Sequence, residues 1–83
     1  MSYEKLTQVQ PKIVVGIKQV LKAIKNEVAS EVYIATDADI RLTDPVVEFA
    51  KEANISVYRV DSMKKLGAAC GIEVGTSAVA VKK

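Results

Sequence analysis

Apolar residues at positions 17, 20, 21, 24 and 28 recur at helical spacing and form one stripe: Ile17, Val20, Leu21, Ile24 and Val28. The opposite side of that helix carries Lys18, Gln19, Lys22, Lys25 and Asn26. Just before it, residues 12–15 read as a short strand ending in Ile13-Val14-Val15, and Gly16 turns the chain. Val32-Tyr33-Ile34-Ala35 is the largely apolar run of a central strand, followed by a loop at Thr36-Asp37-Ala38-Asp39. Asp44 then Pro45 reads as an N-cap and first helical residue, with Val46, Phe49, Ala50 and Ala53 facing inward and Asn54 stopping the helix. Residues 55–60 give another strand. Asp61-Ser62 caps a helix over 63–70, and Gly71 terminates it. A last strand runs from 76 or 77 to 81, before Lys82-Lys83. At the start, residues 2–9 read as a short helix with Ser2 as N-cap, ended by Gln10-Pro11.

Four strands alternating with helices predict an α/β protein, a three-layer α/β/α sandwich around a four-stranded mixed sheet. The pattern does not give the strand order. At 83 residues the chain is read as one domain over 1–83, and 49% apolar content suffices for a compact core rather than disorder. The lone Cys70 excludes an intrachain disulfide and suggests a reducing, cytoplasmic setting. Residues 1–5 lack the apolar core of a secretory signal, and no run approaches the ~20 apolar residues that span a bilayer, so no membrane partner is expected. A monomer fits the single-domain size.

The net charge of +2 conceals a pattern. Residues 1–30 hold five Lys and two Glu, residues 31–58 two basic and six acidic side chains, and residues 59–83 five basic and two acidic ones. A fold that joins the two basic ends would have one basic and one acidic face, which suits a polyanion.

The start of the Gly16 helix is the place where such a ligand would sit. Free N–H groups at a helix start attract anions, and the dipole adds to the pull. Lys18, Lys22 and Lys25 stand at i, i+4 and i+7, where like charges weaken a helix by about 0.2–0.5 kcal/mol per pair. Gln19 offers donors and an acceptor that can read a base edge. A solvated helix face and a plain strand-to-helix turn would use the same residues. The second candidate is the loop Gly71-Ile72-Glu73-Val74-Gly75, whose aliphatics could pack on an unstacked base if exposed. Neither a P-loop nor a dinucleotide fingerprint occurs. The chain has no His, and Asp37 with Asp39 is a weak metal signal, so no enzyme, cofactor or metal is expected.

Three stretches together resemble the kink-turn RNA-binding family of ribosomal proteins, nearest its short bacterial YbxF-like members. They are Val15-Gly16-Ile17-Lys18-Gln19-Val20-Leu21-Lys22-Ala23-Ile24, Val32-Tyr33-Ile34-Ala35-Thr36-Asp37-Ala38-Asp39, and Ser62-Met63-Lys64-Lys65-Leu66-Gly67-Ala68-Ala69-Cys70-Gly71-Ile72-Glu73-Val74. The resemblance implies an α/β/α sandwich that grips a sharply bent RNA with sheared G·A pairs beside a bulge. It implies backbone approach at Gly16 and Ile17, guanine contacts from Lys18 and Gln19, and base or phosphate contacts from Lys22. On the RNA-binding reading of the helix face, Lys25 adds a phosphate contact. Ile72, Glu73 and Val74 would cover the bulged nucleotides, with Asp37 and Leu66 near the site. The implied partner is structured RNA, in ribosomal RNA or the ribosome among other sources. Many archaeal and eukaryotic members have Asn-Glu in place of Lys18-Gln19 and an Arg near Val74. Those departures keep a second reading open, a protein-interaction or scaffold module of the same fold without tight RNA binding.

Overall fold

A computed structural model of the chain describes residues 12–72 and 75–83. The expected helix over 2–9 with its Ser2 cap, the Gln10-Pro11 break, and the site residues Glu73 and Val74 lie outside the described residues. The elements are β1 (Ile13–Val15), α1 (Ile17–Lys25), β2 (Ala29–Ala35), α2 (Ile40–Glu52), β3 (Ser56–Val60), α3 (Met63–Ala69) and β4 (Ala78–Lys82).

The sheet has the order β1-β4-β2-β3, with β4 antiparallel to both its neighbours and β2 parallel to β3. It is therefore mixed, as expected. Side chains alternate along each strand and feed two cores. Val32, Ile34, Ala78 and Ala80 lie under α1 and α2, packed with Val20, Ala23, Ile24, Val46 and Ala50. Tyr33, Ala35, Val60, Val79 and Val81 lie on the other face, under Leu66 of α3. Ala78 and Ala80 are fully buried, and their small size lets α1 lie close to the sheet. Tyr33 also stacks on its register partner Tyr58, with ring centres 5.2 Å apart.

The three helices among the described residues end in the same way. The residue after the C-cap takes a positive φ, and its N–H and the next one turn back onto the last-turn carbonyls. Glu27 (φ 59°), Asn54 (φ 58°) and Gly71 (φ 80°) hold these positions. The bonds are Glu27 N–H to Ile24 O and Val28 N–H to Ala23 O, Asn54 to Lys51 and Ile55 to Ala50, and Gly71 to Ala68 and Ile72 to Gly67. The sequence marks Asn54 and Gly71 as stops. Glu27 carries no such signal, so Val28 is not the last residue of the α1 stripe; it lies beyond the helix and is exposed.

The start of α2 corrects the sequence reading. Asp39, not Asp44, is the N-cap; its carboxylate accepts from Arg41 N at 2.9 Å. Pro45 lies inside the helix rather than at its first position. The buried row is Thr43, Val46, Val47 and Ala50, while Phe49 and Ala53 are exposed. An Asx residue followed by proline is a good helix start, but Asp39 offers an equally good cap five residues earlier. Proline within the helix removes the N–H that Arg41 O would otherwise receive.

We expect Pro45→Ala to stabilise the protein by about 2 kcal/mol. That is the interior proline penalty less the unfolded-state entropy that proline removes. Urea unfolding followed by circular dichroism measures it; a lower midpoint would show that the proline is accommodated without cost.

Candidate nucleic-acid interface

The C-terminal ends of β1, β2 and β3 and the N-terminal end of β4 share one end of the sheet, so the loops that follow or precede them gather there. Gly16 N–H donates to Ala78 O at 3.0 Å, and Ala35 N–H to Ser77 O at 3.0 Å. Thr36 N–H donates to Val60 O at 2.7 Å. Asp37 Oδ1 accepts from Met63 N at 2.8 Å, and Met63 O accepts from Thr76 N at 3.1 Å. Four loop segments are thus tied to one another by hydrogen bonds.

Gly16 is the N-cap of α1 at φ 99°, ψ 151°, a region that essentially only glycine enters. Its carbonyl accepts from Val20 N, and no side chain caps the helix start. A Cβ built on Gly16 would meet nothing within 4 Å. The backbone there is open to an approaching molecule, and the first-turn N–H groups point outward. Lys18 and Gln19 are exposed beside it. Lys18 stands in the first turn, where a cation opposes the helix dipole. Among the described residues no carboxylate pairs with Lys18, Lys22 or Lys25. Lys22 and Lys25 sit in the last turn, where the dipole favours them. Lys25 is about 10 Å further along the axis than Lys18, and its Nζ lies 5.3 Å from the Phe49 ring centre.

The structure brings Gly16, Ile17, Lys18, Gln19 and Asp37 to this end. Asp37 works as a structural tie, holding the first N–H of α3 while Ser62 Oγ accepts from Lys65 N. Leu66 is fully buried in the core under α3 and has no surface to offer. Ile72 lies half-buried just past the end of α3. The returning segment reaches the loop end at Gly75, where a Cβ would fall 3.1 Å from the backbone of Met63. That close approach is invisible in the sequence, where Gly75 reads only as a loop boundary. Sequence reasoning also passed over Lys64 and Lys65, exposed in the first turn of α3. The two basic segments meet in the sheet, where β1 pairs with β4. α1 and α3 lie on opposite faces, and what they share is the loop end.

Other chemistry is thin. Burial pushes the Cys70 thiol up to about 11, which keeps it protonated and unreactive near neutral pH. Arg41 bonds to Asp39 through Nε and Nη2 and holds its carboxyl below the usual value. Among the described residues no group of His, Cys, Asp and Glu could hold a metal ion, and no helix is long and apolar enough to cross a membrane.

Fold and site together define an α/β sandwich with an uncapped basic helix opening at its loop end. The chain belongs to the ribosomal protein L7Ae/L30e/S12e/Gadd45 family, whose model matches residues 1–83. It is 57% identical over 81 residues to an RNA-binding protein of Geobacillus sp. (strain WCH70), covering 98% of each chain. It is 53% identical to the RNA-binding protein YbxF of Geobacillus stearothermophilus, again covering 98% of each. Among solved structures, the Giardia lamblia 15.5kD RNA-binding protein superposes with a TM-score of 0.88 at 27% identity, over 96% of this chain and 72% of that one. The protein is not an enzyme; its relatives bear the names of RNA-binding proteins.

The backbone at Gly16 gives a direct prediction. Gly16→Ala should cost about 1–3 kcal/mol in stability although its methyl has room, because the cost lies in φ and not in contact. Thermal unfolding of the variant reports it, and an unchanged melting temperature would contradict the strained geometry.

Proposed function

We propose that this protein binds RNA at the loop end and stabilises kink-turns, sharply bent duplexes with sheared G·A pairs. The observation that carries the reading is the open backbone at Gly16, which starts an uncapped helix flanked by the unpaired Lys18 and Gln19. The names of the bacterial relatives support RNA as the ligand. A bend widens the major groove enough to admit a helix end, and a straight A-form groove does not. The protein would act by selecting the bent form, since a ligand shifts a conformational balance only through differential affinity.

In this reading Lys18 and Gln19 reach the guanine edges, Ile17 and Gly16 allow close approach, and Lys22 with Lys25 contacts phosphate. Ile72, Glu73 and Val74 cover the bulge. The ribosome is the proposed setting, with the protein acting as a cytoplasmic monomer; co-sedimentation with ribosomal particles tests that part.

The test is a titration at fixed salt of a kink-turn RNA against a control whose G·A pairs are replaced by Watson–Crick pairs. Gln19→Ala should reduce the preference for the kinked RNA about tenfold, the scale of one base contact. Lys22→Ala should weaken both RNAs alike and flatten the salt slope by about one. Lys25→Ala should do less, because its ammonium already lies near Phe49. No preference for the kinked RNA by the unaltered protein would leave the scaffold reading in its place.

A further inference from the structure

Beside the N-terminal part of α2, on the flank away from α1, a cleft of about 210 Å³ opens at the same end of the molecule. Ile34, Ala38 and Val47 form its apolar floor. Ile40, 66% exposed, is its lip. Arg59 of β3 and Asp44 of α2 supply the charge. The cleft lies beside the carboxyl ends of the parallel pair β2–β3.

Two features here have no structural employment. Ile40 is a large aliphatic left in water at a helix start. Arg59 is exposed and has no ion-pair partner among the described residues, although Asp44 lines the same cleft. An aliphatic lip with a guanidinium beside it suits a flat base attached to a phosphate. A carboxylate next to them accepts from a base edge that donates. Guanine fits best, because its N1–H and exocyclic N–H groups lie side by side. Uracil offers one N3–H flanked by two carbonyls, so it would bring acceptors as well as its single donor to Asp44.

We propose that this cleft binds an unpaired guanosine of the RNA, several nucleotides outside the bent core. Arg59 meets its phosphate or stacks on its ring, Ile40 packs on the base, and Asp44 reads the Watson–Crick edge. The distance fits a flanking nucleotide. From β1, which leads into Gly16, to β3 is three strand spacings of ~4.8 Å, or roughly 15 Å. A nucleotide in the cleft would therefore lie beside the one held at Gly16 and not on it. This inference rests on the RNA-binding reading above and adds a second contact to it.

The experiment compares a minimal kink-turn with the same RNA carrying single-stranded extensions, 5′ or 3′, of guanosines or of uridines. The guanosine extension on one side should tighten binding about tenfold, the scale of one stacked base, and uridines should add less. Arg59→Ala should abolish that gain and leave the minimal RNA unaffected, with Arg59→Lys restoring part of it. Asp44→Asn should equalise guanosine and uridine extensions, and serves as the readout should Arg59→Ala fail to fold by circular dichroism. Extensions that add nothing on either side, or an Arg59→Ala loss shared equally by both RNAs, would overturn the cleft's role while leaving the kink-turn reading intact. Failure of every RNA to bind would sink both.

Discussion

The N-terminal end of β4 is the point on which the structure depends. This strand lies between two antiparallel neighbours, and its residues Ala78, Val79 and Ala80 are completely buried. Ala78 O takes the Gly16 N–H, and the preceding Ser77 O takes the Ala35 N–H. One short stretch therefore fixes where β1 hands over to α1 and where β2 gives way to its loop. Buried backbone groups without partners are costly, so the bonds constrain the geometry strongly. Gly16 can turn α1 outward only because its own N–H is already anchored to β4.

The same economy explains why the candidate interface sits on loops without being loose. Asp37, Met63 and Thr76 bind one another across three segments. Gly75 lies so close to the Met63 backbone that a Cβ there would fall 3.1 Å from it and force a small shift. A surface that recognises a shape rather than a single group needs such rigidity, since each ordering step on binding would subtract from affinity. The polar side chains that project from it, Lys18 and Gln19, remain unpaired and available.

Much of this could be read from the chain because the signals were local. The β1–Gly16–α1 unit was legible from an apolar triplet, a glycine and a helical stripe, and the sandwich from the alternation of elements. Asn54, Gly71 and Ser62 are found where their chemistry places them. What escaped depended on competition or on distance. Asp39 and Asp44 are rival caps, and the burial of Thr43, one residue ahead of Asp44, is what the local sequence does not show. The resemblance sets Leu66 near the site, and the structure buries it on the inner side of α3. Asp37 looked like a site residue, and its carboxylate serves a helix 26 residues away. Glu27 adopts a left-handed backbone that its side chain does not favour, so no sequence rule marks it.

The corrected start of α2 also changes what the molecule can do. Starting the helix at residue 40 rather than 45 adds a turn and more, and sets Ile40 and Leu42 on a rigid surface. Exposed aliphatics on a loop can fold under the protein, whereas on a helix their direction is set by the axis. Thr43 and Val47 turn inward at i+3 and i+7 from Ile40, which leaves Ile40 at the rim of the cleft beside Arg59. The outer end of the sheet therefore presents two unlike surfaces about 15 Å apart, an open cationic backbone at β1 and an aliphatic cleft at β3. A polyanion of uniform shape would use only the first. An RNA in which a bent duplex runs on into an unpaired strand can use both, and that asymmetry favours a ligand with a structured core and a free end.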